Sequence, residues 1–543
     1  MDQKPEYVQE IIQRFERMRT YRANFERTWS EIALRVLPRA DDFIVKRTPG
    51  VKREENVYDS TAQLALPAFA AAMESMLTPR TQKWHNLRPA DPALLENEEV
   101  MAYCEFVRDL MFRLRYAPYA NFASQSYEAY MSLGAFGTGA IFVQDGLSQG
   151  IRYQCIPLNQ VYVQEDAQGV VDTVCRRYEL TTRQAYQKFG DALPENISKF
   201  VEKEPDRNWE FIHFVQPNED RDRRYDNAKG MAIKACDVAL EGRKLIREGG
   251  YRVMPYAVSR YTTAPREVYG RSPAWDALAD IKTLNEMSKT SLRYGQLVTD
   301  PPWITADLDG LAPFAVRPGA VNAGYMNEQG QVLAKTVAPE GDPRLTLEMA
   351  QQRRESINRA FLITLFQILV DTPQMTATEA MLRAQEKGAL LAPTMGRQQS
   401  EFLGPIIRRE LDILQAAGAI PPPPEALVGR GGQLEIIYDS PLTRAQRAEE
   451  GVGILRTFEA IGQIAQFDPT VTKVFNAERA ARRLAMINGA PMDILNSAEE
   501  LAAQEEAAAQ QAQLAALVQA GPALGQTAKT LAQANTEAQK APF

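Results

Sequence analysis

A mixed α+β fold, mainly helical, is what this sequence predicts, and three observations carry that expectation. Long stretches place apolar residues three and four positions apart, the spacing that gathers them on one face of a helix. From Ala140 onward the pattern changes to short β-branched and aromatic runs separated by Gly or Asp turns, which is how strands read. The chain also has 543 residues, 45% of them apolar and 24% charged, so it can bury a real core in two to four domains.

The helices come first. Val8, Ile11, Ile12, Phe15 and Met18 recur among Glu and Arg and predict a helix over the first 37 residues. After the loop "RTPGVKREEN", Asp59 and Ser60 offer caps to an Ala-rich helix that stops at Pro79. "VMAYCEFVRDLMFRLRYAP" and "NFASQSYEAYMSLGAFG" predict two more, the second ending at Gly134 or Gly137. Strands follow in "AIFVQD", "IRYQCIPL", "QVYVQED", "VDTVCRRYEL", "WEFIHFVQP" and "MAIKACDVAL", with the charged loop "NEDRDRRYDNAKG" between the last two.

The second half is dominated by long helices. One starts at Pro273, with Ser272 as N-cap and Asp276 near the positive end of its dipole, and runs about 25 residues, or roughly 37 Å, to the stop at Pro301 and Pro302. A compact segment of short strands and Gly/Pro turns leads to a second long helix from about Arg344 to Phe366. Its middle, "EMAQQRRESINR", is polar almost all round, which suits packing among neighbours or around a solvent-filled space. Thr376 and Glu379 form a capping-box pair opening a third helix to about Ala417, which Gly388, Pro393, Gly396, Gly404 and Pro405 must kink or break. "PPPPE" is a stiff linker, "QLEIIYDS" a strand, and the segment after Pro441 another helix. The Ala/Gln-rich stretch from Ser497 fits a terminal helix or a flexible tail.

Composition narrows the function. A net charge of −7 argues against a nucleic-acid clamp, which carries a basic surplus. Four scattered cysteines, none in C-x-x-C spacing, and no apolar run near 20 residues suggest a reducing compartment and no spanning helix. Only His85 and His213 are present, which poorly supplies zinc sites and His-based acid–base chemistry. "GLSQG" has the spacing of a hydrolase nucleophile elbow, but a strand rather than a helix follows it, so a hairpin turn accounts for both glycines. "GAFGTGAIF" is Gly-dense yet lacks the Lys of a phosphate loop and runs helix to strand; close helix–strand packing explains it better. The adjacent acids Asp41/Asp42 and Glu165/Asp166 read as solvated turns, with no metal or cofactor implied. The run with Arg353, Arg354 and Arg359 has two readings: a solvated face with Glu348 and Glu355 as helical partners, or guanidinium groups facing a polyanion.

The order of parts carries more than any single motif. "VYGRSPAWDALADIKTLNEMSK", "DPPW", "MTATEAMLRAQE", "EFLGPIIRRELDIL" with "GAIPPPP", and "YDSPLTRAQRAEE", preceded by "YEAYMSLGAFGTGAIFV" and "CIPLNQVYVQEDAQGVVDTV", together resemble the portal proteins of phages, in particular the head-to-tail connector family of short-tailed phages. The likeness covers roughly residues 10 to 490. It implies a wing over 1–270, a first stem helix over 271–300, a clip over 301–343 and a second stem helix over 344–366. A channel loop would occupy 367–375, a kinked wing helix and strand 376–440, a helical crown 441–496, and a tail or barrel 497–543.

The resemblance further implies a non-enzymatic homo-oligomeric ring, typically a dodecamer, without cofactors. It would be assembled in the host cytoplasm and sit at one capsid vertex of the virion. Double-stranded DNA would pass through it, and terminase, tail adaptor proteins, the major capsid protein and scaffolding protein would be its partners. Lys282, Lys289, Arg293, Arg353, Arg354 and Arg359 are the stem charges expected to feel DNA or neighbouring subunits. Asp371, Thr372, Pro373, Gln374 and Met375 are expected as the loop closest to DNA. The rival expectations are a helical adaptor or scaffold without a DNA channel and, less well supplied with motifs, a hydrolase or nucleotide-dependent enzyme.

Overall fold

The computed structural model describes residues 5–305 apart from a few single positions and 147–149, then 329–337 with scattered positions before them, 343–363, 393–439, 441–465, 476–488, and four residues between 506 and 511. The chain forms two compact units. The first comprises Met1–Leu87, Phe106–Pro422 and Ile436–Ser440; the second comprises Arg88–Glu105, Pro423–Glu435 and Pro441–Phe543.

The helices are α1 (Pro5–Val36), α2 (Thr61–Leu77), α3 (Glu98–Arg115), α4 (Phe122–Phe136), α5 (Thr182–Phe189), α6 (Glu195–Ser198), α7 (Pro273–Asp276), α8 (Leu278–Thr299), α9 (Pro343–Ala360), α10 (Gly404–Ala416), α11 (Glu425–Val428), α12 (Pro441–Ala465) and α13 (Ala477–Asn488). The strands are β1 (His85–Pro89), β2 (Thr138–Asp145), β3 (Ile151–Cys155), β4 (Val161–Glu165), β5 (Val171–Thr181), β6 (Asn208–Pro217), β7 (Ile233–Ala239), β8 (Lys244–Tyr251), β9 (Tyr256–Arg260), β10 (Trp303–Thr305), β11 (Ala334–Thr336) and β12 (Leu434–Tyr438). The mixed, mainly helical expectation holds.

The first unit is organised around an antiparallel meander, β4-β5-β6-β7-β8. Alternation along the strands gives it two different faces. Tyr162, Cys175, Ile212, Phe214, Cys236 and Val238 form one core with Val8, Ile11, Phe15 and Met18 of α1. Trp209, Phe211, Tyr178 and Ala239 lie in a second core with Ala185 of α5 and Ile197 of α6. Next along β6 on that second face, His213 meets Tyr256 (Nδ1 to Oη, 2.7 Å), and burial pushes its pKa down to about 4. The imidazole is therefore a neutral core group.

A smaller sheet, β3-β2-β9, is framed by helices. Its β2–β3 turn carries the "GLSQG" motif: Gly146 N–H donates to Gly150 O (2.5 Å) and the strands run antiparallel. A strand rather than a helix thus follows the motif, as the sequence predicts. Gly137 closes α4 in the left-handed region at φ 79°, and a Cβ there would collide with the backbone of Gly270. At Gly134 a side chain would strike Leu66 and Phe69 of α2. The Gly-dense stretch is thus a close-packing seam.

Deeper in this unit, Arg115 and Glu410 form a fully buried pair (Nε to Oε1, 2.9 Å), with Tyr153 Oη donating to the same carboxylate oxygen at 2.6 Å. The guanidinium lies over the rings of Trp84 and Phe112. Residues 393–398 and α10 are helical, joined by a five-residue π turn, Gln399–Leu403, where the expected kink falls. Gly404 N–H reaches back five residues to Gln399 O, and Pro405 has no N–H with which to restore the α ladder. The turn aims Glu401 at Arg260, which it grips through Nη2 (2.8 Å) and the main-chain N–H (3.0 Å).

In the second unit, Gly451 of α12 packs against Ile487 and Leu484 of α13. Ion pairs Glu98–Arg482 (2.6 Å), Glu450–Arg483 (2.8 Å) and Asp91–Arg430 (2.7 Å) tie its segments. Among the described residues no helix is long and apolar enough to cross a membrane.

Several expectations need correction. The helix from Pro273 is broken at Ala277 into α7 and α8. The helix from Arg344 closes at Ala360, because Leu362 turns into the left-handed region at φ 61°. Ser60 makes no cap; Asp59 Oδ1 accepts the Thr61 N–H instead (2.9 Å). The strands β8 and β9 were not expected, nor was the helix α5, although Thr181 and Gln184 form a complete capping box before it.

Candidate functional site: the helical hairpin

The hairpin is built from α8 and α9. Its start is fixed by sequence chemistry: Tyr269 is buried, with its hydroxyl accepting Val163 N–H at 3.2 Å, and Ser272 Oγ accepts Trp275 N–H at 2.9 Å. Pro273 then occupies the first helical position, where a missing N–H costs nothing. At the other end β10 and β11 pair antiparallel, Trp303 opposite Thr336, so the two helices return alongside each other.

The root of this hairpin is finished. Ile281 and Leu284 of α8 and Ile357 at the base of α9 are buried, and Phe361 stacks edge-on with Phe69 of α2. Burying each such side chain contributes about 1.5–3 kcal/mol. The outer part is different: Leu292, Leu297, Val298, Trp303, Ile304, Leu347 and Met349 are all at least 42% exposed. Within the protomer these apolar side chains are left uncovered.

The six expected stem charges split into three kinds. Arg353 Nη1 pairs with Asp280 Oδ1 across the hairpin (2.8 Å), and Arg354 pairs with Asp59 Oδ2 (2.9 Å). Neither uses Glu348 or Glu355, so the helical-partner reading gives way to partners distant in sequence. Lys282 pairs with Glu31 of α1 (2.8 Å), both side chains about half exposed, and Lys289 lies over the Tyr58 ring at 5.4 Å. Arg293 and Arg359 are exposed, with no partner shown among the described residues. The expected loop residues Asp371, Thr372, Pro373, Gln374 and Met375 lie outside the described residues.

Sequence reasoning missed the groups that hold these charges. Burial alone would raise the Asp59 pKa, but hydrogen bonds from Thr61 and the Arg354 guanidinium hold it below the usual carboxylate range. Asn285, only 8% exposed, accepts Tyr58 N–H with Oδ1 (2.8 Å) and donates Nδ2 to Asn56 O (3.0 Å). The acids weighed as metal pairs are engaged elsewhere: Glu165 with Arg260, Asp166 in its own turn, and Asp41 with Ser30. No cluster with metal-ligand composition occurs among the described residues.

The hairpin is closed at its root and exposes apolar side chains along its outer part. The chain is a member of the bacteriophage head-to-tail connecting protein family, whose family model matches residues 8–495. It is 29% identical over 528 residues to a "Probable portal protein" of Bordetella phage BPP-1, covering 93% of this chain and 92% of that one. It is 27% identical over 541 residues to the "Portal protein" of Salmonella phage epsilon15, covering 97% and 95%. A solved chain from the neck of an empty GTA particle, computed with C6 symmetry, aligns over 79% of this chain and 90% of that one at 12% identity and a TM-score of 0.36, too loose a match to argue from.

Proposed function

We propose that this chain is the repeating subunit of a portal, a closed ring, typically of twelve copies, at one vertex of a phage head. Double-stranded DNA passes through it during packaging and ejection, and the terminase and tail proteins dock on it. The observation that carries this reading is near end-to-end similarity to two phage proteins named as portals. In this reading residues 271–300 and 344–366 are the stem, 301–343 the clip, 367–375 the channel loop and 441–496 the crown, with no catalysis by the chain itself.

The hairpin supports the reading in two ways. Its exposed apolar side chains suit a head-to-tail contact that closes a ring on itself. Its charge balance suits passage rather than capture. A duplex carries about one charge per 1.7 Å, so an unbalanced basic bore would hold it. Here Arg353 and Arg354 are neutralised within the protomer by Asp280 and Asp59.

The test is negative-stain electron microscopy of the purified protein with light scattering for mass. Closed rings with a central opening wide enough for a duplex are expected, and their symmetry gives the subunit number. Dispersed protomers at every salt and protein concentration, with or without the phage's scaffolding protein, would remove the ring from the proposal.

A further inference from the structure

The segment joining α1 to α2 ends in a cluster of contacts that none of the reasoning above requires. Asn285 grips the backbone of residues 56 and 58 from α8, by one accepted and one donated hydrogen bond. Lys289, one turn further along, covers the ring of Tyr58. Asp59 faces both helices of the hairpin: its Oδ2 takes Arg354 Nη2 (2.9 Å) and Nε (3.2 Å) from α9, and Ser288 Oγ of α8 stands 3.5 Å away. Its other oxygen caps α2. Seven residues therefore hold both helices against the start of a third.

Each helix of the hairpin is set off from the body by a backbone irregularity. Ala277 separates α7 from α8 at φ −84° and ψ −1°, with helical hydrogen bonds kept on either side of it (Ala277 N–H to Pro273 O, 3.0 Å; Ile281 N–H to Ala277 O, 2.9 Å). Leu362 sits at φ 61°, a conformation that disfavours a branched side chain, immediately beyond α9. Asp280–Arg353 ties the two helices to one another. Outside the loop contacts, the exposed Lys282–Glu31 pair also ties α8 to the body.

We propose that Asn56–Ser60 is a latch that holds the α8–α9 hairpin beyond its buried root, and that releasing it loosens residues 288–299 and 344–354 while Ile281, Leu284, Ile357 and Phe361 stay packed. Asp59 and Asn285 are its positioning residues. The inference goes beyond the portal reading and does not depend on ring formation, because every contact in it lies within one protomer.

The experiment is hydrogen exchange by mass spectrometry on the full chain, comparing wild type with Asp59→Asn, Arg354→Gln and the double variant in the same assembly state. Asn is a good N-cap, so Asp59→Asn keeps the start of α2 while removing the charge. Each single variant should speed exchange at least tenfold over residues 288–299 and 344–354, leaving β5–β7 unchanged. The double variant should add little beyond either single change, since both remove one shared contact. Unchanged exchange in the hairpin would overturn the latch, and so would acceleration spread equally into β5–β7, which would mean general loss of stability. Asn285→Ser is the second probe, expected to show the same pattern; full additivity of the Asp59 and Arg354 changes would also overturn the proposal.

Discussion

The two ends of the α8–α9 hairpin use similar residues and treat them in opposite ways. At the root, Ile281, Leu284, Ile357 and Phe361 are buried, and Arg353 and Arg354 are paired with acids from the same protomer. At the far end Leu292, Leu297, Val298 and Leu347 face outward and Arg293 has no partner shown. The difference teaches where folding of one chain stops. The root belongs to the protomer's own stability, and the exposed far end adds little to it.

That contrast can be broken at either end. The largest effect belongs to the root: Ile357→Ala should cost about 2–5 kcal/mol in chemical denaturation, because a fully buried side chain leaves a cavity. A loss below 1 kcal/mol would mean that the root is looser than its burial indicates. The next effect separates the sheet from the hairpin by pH. His213 has a folded pKa of about 4 against an ordinary value of 6.5, so the unfolded chain takes up a proton first. Stability should be fully present above pH 6.5 and fall by about 3 kcal/mol as the pH drops to 4, with His85, also depressed by burial, acting in the same direction. Asp59 behaves otherwise. Its lowered pKa keeps its contribution intact through that window, and it is lost only below the ordinary carboxylate range, so protection of α9 relative to β6 should persist at pH 5.

Two smaller changes sharpen the comparison. Asp280→Asn breaks a partly exposed pair and should cost no more than about 1 kcal/mol. Leu292→Gln should change the stability of a dispersed protomer by less than about 0.5 kcal/mol. The same substitution should nevertheless weaken assembly measured by light scattering. If it destabilised the protomer as much as Ile357→Ala, the far end would have to be part of the protomer's own core.

Much of this architecture is legible in the sequence because its signals are local. The 3–4 spacing in α1, the Ser272–Pro273 start, and the strand alternation in β5 and β6 each sit within a few residues. The misses have physical causes. β8 carries charges and Gly249–Gly250, which hide its alternation, and its existence depends on pairing with β7. Arg353 and Arg354 read as a helical face because i,i+4 partners are the only ones spacing can suggest. Their actual partners lie 73 and 295 positions away, and only tertiary folding brings them together. Asp59 was visible as a cap, but nothing near it announces Arg354. The family resemblance, which the family model matching residues 8–495 bears out, rests on the order of many motifs at once and says nothing of these pairs.

The π turn at Gln399–Leu403 has one further consequence, and it concerns length rather than chemistry. A helix that accommodates one residue too many in a turn is sensitive to counting: deleting a single residue there would let an ordinary ladder form. It would also turn everything before it by roughly 100° about the axis. Glu401 would then leave Arg260, and the helix entering that turn would present a different side to its surroundings. In this stretch an insertion or deletion is a rotation, so the spacing of the chain is as strict a requirement as the identity of any side chain in it.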